Sequence, residues 1–205
     1  MKKMNVRPAF VLMVICLISA VALAGVNELT KDQIAANQMA ANLAAFQTVL
    51  PDAAEFAYDD AVTSQIEDLQ GTVYGDGAFG KCYINEAVRG TDAGGAEAGW
   101  AISATSMEGF EGEITLTVGF LPDGTVEGIA FTTLNETAGM GMRADEDSFK
   151  SQFAGVNTSS FTLNKRGGSV AEDEIDSISG ASTTSGAVVN AVNAAISFYQ
   201  TVIAQ

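Results

Sequence analysis

From Pro8 to Asn27 the sequence carries no charge, and Phe10 to Ala24 is apolar at every position except Ser19. Twenty helical residues rising ~1.5 Å each reach ~30 Å, the thickness of a bilayer's hydrocarbon core. The segment can therefore span a membrane. Lys2, Lys3 and Arg7 precede it and the first acid, Glu28, follows it, so the positive-inside rule puts the N-terminus in the cytoplasm and the remainder outside. Ala20-Val21-Ala22 and Ala22-Leu23-Ala24 have the small-x-small form of a signal-peptide cleavage site. With Gly25 and Val26, however, the apolar run exceeds the ~7–15 residues of a signal h-region. A retained anchor is favoured and a cleaved signal is the alternative; both export the rest of the chain. The expected division is a cytoplasmic N-terminus and anchor over 1–27 and one extracytoplasmic domain over 28–205.

Beyond Asn27 the chain holds seven cations against all 25 of its acids. Such a surface repels phosphate backbones and anionic headgroups, which excludes nucleic acid as a partner and leaves apolar burial as the route to a membrane. The absence of histidine removes Ser-His-Asp and Cys-His catalysis and His-ligated zinc or haem. Two cysteines cannot hold a four-cysteine iron–sulfur cluster, and no metal site is expected. Cys16, inside the apolar run, reads as a small apolar residue, and Cys82 as a buried, inert thiol.

Within the exported part, Thr30-Lys-Asp-Gln33 has the form of a capping box. A helix is expected from there, carrying Ile34, Met39, Leu43, Phe46 and Leu50 on one face until Pro51 stops it. Short strands are expected over 81–87 and 99–104. Ile114, Leu116, Val118 and Phe120 alternate with Glu113, Thr115, Thr117 and Gly119, the period of a strand with one buried face. Leu121-Pro-Asp-Gly124 is a turn signal and 125–134 the returning strand. A short helix over 145–153, a strand over 160–164 and a closing helix over 186–203, with Val188, Val192, Ala195 and Tyr199 as its apolar stripe, complete the pattern. Strands and helices without regular βαβ alternation indicate an α+β domain behind a single transmembrane helix.

Asp176-Ser-Ile-Ser-Gly-Ala-Ser-Thr-Thr-Ser185 precedes the closing helix. Hydroxyls and small residues at a helix start either cap free N–H groups or leave room for those groups to hold a phosphate; spacing alone favours capping. Asp176 can cap a turn at Ser179 or position the motif for a modifying enzyme. Asp176 with Ser179-Gly180-Ala181-Ser182 resembles the flavinylation motif of the FMN-binding domain family, shared by the G subunit of the Rnf complex and the C subunit of the sodium-translocating NADH:quinone oxidoreductase. Glu136-Thr-Ala-Gly-Met-Gly141 is similar to the same family's Glu-Thr-Pro-Gly-Leu-Gly loop, with Ala138 for Pro and Met140 for Leu. Length favours the Rnf subunit.

The resemblance implies an exported, membrane-anchored flavoprotein. FMN would be joined through its phosphate to Ser182, with Thr184 the neighbouring candidate and Ser179, Gly180, Ala181, Thr183, Glu136, Thr137, Gly139 and Gly141 contacting the cofactor. It further implies a flavin transferase for maturation and a multisubunit complex, with integral membrane subunits, that couples ferredoxin:NAD electron transfer to ion movement. The chain would be a redox relay without catalytic residues of its own. The alternatives are a stand-alone extracytoplasmic flavoprotein and a noncatalytic exported binding domain.

Overall fold

The computed structural model describes residues 7–204, so Lys2 and Lys3, on which the topology expectation rests, lie outside the described residues. The chain divides into two compact units, Met1–Ala41 and Asn42–Gln205. Helix α1 runs without a break from Arg7 to Val49. Its most apolar 18-residue stretch has a mean hydropathy of 2.8 and none of it is buried by protein; Leu23, for example, is 71% exposed. Apolar surface on that scale belongs in a membrane, since soluble monomers rarely expose more than a few hundred Å² contiguously. The helix is long and apolar enough to cross one.

No helix starts at Thr30. Because α1 arrives there already wound, the backbone has no orphan N–H groups to cap, and the Thr30 hydroxyl donates instead to the Val26 carbonyl at 2.9 Å. The expected apolar face is also shorter than its sequence pattern: Ile34, Met39 and Leu43 are exposed, while Phe46 and Leu50 are buried. Pro51 does end the helix, at Val49.

The second unit is α+β, as expected. Strand β1 (Glu55–Tyr58) and helix α2 (Asp60–Leu69) open it, in a stretch whose Gly, Ala and Asp richness hid both from the sequence reading. The Asp59 carboxylate caps α2 by accepting from the N–H groups of Ala61 and Val62. Strands β2 (Cys82–Thr91), β3 (Glu97–Ser106), β4 (Ile114–Phe120) and β5 (Val126–Leu134) follow, and β1 to β5 form an antiparallel meander in chain order. A 3-10 turn (Gly141–Asp145) and a single helical turn, α3 (Asp147–Lys150), replace the continuous helix expected over 145–153. Strands β6 (Thr162–Asn164) and β7 (Glu174–Asp176) pair in parallel. Helix α4 (Ser182–Phe198) closes the chain and runs into a π turn, Tyr199–Ile203.

The two faces of the meander separate by the strand period of two. On one, Trp100, Ile102, Leu116, Val118 and Phe120 form the main core with Val188, Val192, Ala195 and Phe198 of α4, which lies across β2, β3 and β4. Helix α4 contains no charge and is apolar enough to cross a membrane by composition, but it is mostly buried inside the domain, as the core helix. On the other face, Val88, Ala101 and Ala130 pack against Ala45, Phe46, Val49 and Leu50. Gly119 permits that contact: a Cβ there would stand 2.2 Å from the Val49 carbonyl oxygen.

Candidate functional site

The sequence segments 136–141 and 176–185 are far apart in the chain and meet at one cleft of about 290 Å³, lined by Phe110, Glu136, Thr137, Met140, Gly141 and Gly180 to Thr184. Folding brings them together because β5 delivers Glu136 past the sheet edge while β7 returns the chain to the start of α4 beside it. The 136–141 loop closes on itself: the Thr137 carbonyl accepts from the N–H groups of Met140 and Met142 at 3.1 and 3.2 Å. Gly139, at φ +75°, makes that turn. It is exposed, with nothing within 4 Å of a Cβ position, and does not line the cleft. Ser179 faces a separate hollow of about 210 Å³ with Arg143, Gln152 and Asp176. Another hollow, of about 360 Å³ between 152–156 and 169–174, holds no motif residue.

The helix begins one turn earlier than its apolar stripe indicated. Ser182 is its first residue, and Ala181 at the cap position makes no side-chain hydrogen bond to it. The first N–H groups of an α-helix have no intrahelical partner, so the start of α4 presents uncapped donors at the positive end of the helix dipole. Capping by the motif's hydroxyls, which spacing alone favoured, does not occur at this end. Gly180, at φ +80°, turns the chain into the helix, and a Cβ there would stand 3.3 Å from Met140 Cε.

Hydroxyls of the motif have divergent surroundings. Ser182 and Thr183 are exposed, and the Ser177 hydroxyl donates to Ser182 Oγ at 3.1 Å. Thr184 is only 1% exposed. Ser185 is fully buried: its Oγ accepts from the Ile178 N–H at 3.0 Å and donates to the Ala181 carbonyl at 3.0 Å. That pair of bonds ties the 178–181 turn to the first turn of α4 and leaves Ser182 on the outside. Sequence reasoning had no role for Ser185 or Ser177; the spacing of seven between Ile178 and Ser185 is the signal in retrospect. Asp176 does not cap a turn at Ser179. Its carboxylate accepts from the N–H groups of Gly168 and Ser169 at 2.8 and 2.9 Å, and the Ser169 amide above all holds its pKa below the usual range, burial opposing and Gly168 assisting.

Glu136 is 7% exposed, unusual for a carboxylate. Its Oε1 accepts from the Phe110 N–H at 2.7 Å, while Oε2 is buried and has no hydrogen-bond partner among the described residues. Phe110, 69% exposed on the cleft rim, was missed from the sequence because nothing local marks it. Thr137 donates to Glu111 Oε1 at 2.6 Å and so braces the rim. The cleft thus offers uncapped N–H donors for an anion and, across from them, a buried acceptor lacking a donor. Uncapped donors at a helix start suit a phosphate ester, and FMN is one. Among the described residues no cluster of acids or cysteines could hold a metal ion.

Residues 109–197 match the FMN-binding domain family, and residues 1–49 match the RnfG N-terminal region. The chain is 30% identical over 199 residues to the G subunit of the Na(+)-translocating ferredoxin:NAD(+) oxidoreductase complex of Acetobacterium woodii, covering 97% of this chain and 93% of that protein. It is 28% identical over 188 residues to the G subunit of the ion-translocating oxidoreductase complex of Methanosarcina acetivorans, with 91% and 90% covered. Of solved structures, NqrC of Shewanella oneidensis is similar at a TM-score of 0.49 and 16% identity, over 75% of this chain and 70% of that one. A membrane-length apolar helix, an FMN-binding domain around a cleft built from both motifs, and similarity running nearly end to end lead to one conclusion: the chain belongs to the G-subunit family of the ion-translocating oxidoreductase (Rnf) complexes.

Proposed function

We propose that this chain is an electron-relay subunit of a membrane-bound, ion-translocating ferredoxin:NAD oxidoreductase, working through FMN joined by a phosphoester to Ser182. The observation that carries the proposal is the meeting of an exposed Ser182, the uncapped start of α4 and the 136–141 loop at one cleft. FMN supplies one- and two-electron chemistry when bound. The chain's own residues do the holding. The first-turn N–H groups of α4 offset phosphate charge, Gly180 and Gly141 admit the cofactor close to backbone, and Thr137, Thr183 and Met140 line the approach. A covalent tether also keeps the cofactor from being lost outside the cell. The proposed partners are the complex's other subunits, integral membrane ones among them, and a flavin transferase that loads Ser182.

Mapping the attachment needs fragmentation within one peptide. No Lys or Arg follows Arg166 and no acid follows Asp176, so trypsin or acid-specific proteases leave every candidate hydroxyl on a single C-terminal piece. Electron-transfer fragmentation of that piece from native protein is expected to put the FMN mass on Ser182. An unmodified peptide ends the covalent reading.

The proposed topology has the anchor within 1–27 and the domain over 28–205 outside the cytoplasm. Val170 is 96% exposed, and Val170→Cys in a Cys16→Ser background should react with an impermeant maleimide in intact protoplasts. Cys82 stays silent: burial pushes its thiol up to about 11, leaving roughly one thiolate in ten thousand at pH 7. Labelling confined to lysed cells reverses the orientation.

The two loop glycines separate in their expected effects. Gly141→Val puts atoms against Glu136 and Thr184, since even a Cβ there would stand 2.7 Å from Glu136 Oε2 and 2.8 Å from Thr184 Oγ1. It should shift the flavin's visible spectrum and potential. Gly139→Val meets open space but forces a β-branched residue to φ +75°, costing roughly 1–2 kcal/mol of stability with the spectrum unchanged. Equal spectral shifts in both would mean that the loop acts only as a structural unit.

A further inference from the structure

One end of the meander is formed by Ser106, Ile114 and Leu134, which are cross-strand partners, so the β3–β4 loop (107–113) and the chain after β5 leave the sheet at the same end. These segments hold all three methionines that follow α1, Met107, Met140 and Met142, together with Phe110. All four are exposed, from 41% at Met142 to 69% at Phe110. Both residue types ordinarily lie in cores, and among the described residues no other phenylalanine after α1 is exposed. Phe110 and Met140 line the cleft, but Met107 and Met142 do not, so the contents of the cleft do not account for the patch. We propose that this apolar collar is the docking surface for a redox protein whose prosthetic group opens onto an apolar patch ringed by lysine and arginine. The inference rests on the relay reading above and gives the chemistry of the partner that exchanges electrons there.

Charge decides between occupants. Segments 107–113 and 140–150 carry six acids, Glu108, Glu111, Glu113, Asp145, Glu146 and Asp147, all exposed, against two cations. Those cations are already engaged by the acids themselves: Arg143 stands 3.3 Å from Glu146 and Lys150 2.8 Å from Asp145. The fringe therefore presents surplus negative charge around an apolar centre. A charge-poor centre rich in methionine and aromatic rings, inside a polar rim, is the anatomy of a protein interface. A second copy would set acid against acid across a two-fold axis, and anionic headgroups are repelled in the same way. A cationic rim is instead attracted and steered toward the collar. Electron-transfer encounters use small interfaces, and flexible methionines fit such a surface because they repack against whatever meets them.

The test titrates the full-length chain, immobilised in neutral detergent, with mitochondrial cytochrome c, whose haem edge is ringed by lysines, and with the same cytochrome succinylated to reverse those charges. The native cytochrome should bind roughly tenfold or more tighter than the succinylated one. That advantage should collapse as salt rises from about 10 to about 150 mM and the screening length contracts from ~30 to ~8 Å. Glu113→Lys with Asp147→Lys should weaken binding roughly tenfold, and Met107→Ser with Met142→Ser roughly fivefold, with the flavin spectrum and melting temperature unchanged. Glu55→Lys with Glu97→Lys alters net charge equally at the opposite end of the meander, where both residues pair with Thr91. That control should stay within roughly twofold of wild type. When the chain is reduced with dithionite and freed of excess reductant, one electron passes to each ferric haem, which becomes ferrous, and the rate should fall in the same order as affinity. Equal affinities for the two cytochromes, or a control pair that weakens binding as much as the patch variants, overturns the surface. Self-association of the chain that the methionine pair abolishes assigns the patch to a second copy and overturns the cationic partner. The flavin is read separately, as fluorescence of the denatured wild-type band after maturation. A fluorescent band with equal affinities sinks the surface alone, and a dark band with patch-dependent binding sinks the relay reading alone.

Discussion

Ser182→Ala, matured alongside the flavin transferase, should show no flavin fluorescence in its denatured band, whereas Ser182→Thr should keep full labelling and Thr184→Ala should remain labelled. The expected loss is complete because the proposed phosphoester needs a hydroxyl that an enzyme can reach, and accessibility divides the candidates. Ser182 is exposed at the first position of α4, beside the cleft. Thr184 is 1% exposed and walled by the 136–141 loop. Ser185 is committed to two internal hydrogen bonds. Thr at 182 retains the hydroxyl and adds only a methyl on an exposed surface. Labelling that persists in Ser182→Ala and disappears in Thr184→Ala would assign the tether to the inner hydroxyl and would require the first turn of α4 to open during loading.

Gly119→Val should destabilise the domain by roughly 2–4 kcal/mol through overpacking, lowering the melting temperature by roughly 5–15 °C. A Cβ at Gly119 would stand 2.2 Å from the Val49 carbonyl oxygen, 2.8 Å from Val49 Cβ and 2.9 Å from the Val49 carbonyl carbon. Backbone atoms cannot rotate aside as a flexible side chain can. The strand must shift or the segment carrying Val49 and Leu50 must lift from Val88, Ala101 and Ala130. Gly128→Ala in the neighbouring strand is the control: nothing lies within 4 Å of its Cβ position, and its melting should change by less than about 2 °C. A Gly119→Val protein that melts with the control would show that the packing of Val49 on β4 contributes little.

How much of the fold was legible followed from the range of the forces involved. Hairpin β4–β5 was placed correctly because its signals are local, with alternation along β4 and a Pro-Asp-Gly turn in which Asp123 accepts from the Thr125 N–H at 2.9 Å, but β4 is covered on both faces and not on one, since Thr117 is buried and Gly119 packs on Val49. Strand β7 was not legible, because three residues acquire strand geometry only by pairing with β6. Thr30 to Gln33 misled for a related reason. A capping box is a boundary only if the chain reaches it unwound, and here twenty-three helical residues precede it.

The family was readable from two short motifs because the proposed phosphoester and close approach of a cofactor restrict residue types at single positions: a hydroxyl at 182, glycines at 180 and 141. The same composition made the apolar helix and the acidic, histidine-free domain evident without coordinates, since hydropathy and charge depend on the residues and not on their neighbours. Which members of those motifs share a cleft was decided by tertiary structure. Gly139 and Ser179 turn away from it, Thr184 is buried, Phe110 joins from a loop that no motif marks, and one oxygen of Glu136 has no hydrogen-bond partner among the described residues. Burial and hydrogen-bond partnership arise only when β5, β7 and α4 are assembled, because each depends on atoms that the sequence holds tens of residues apart.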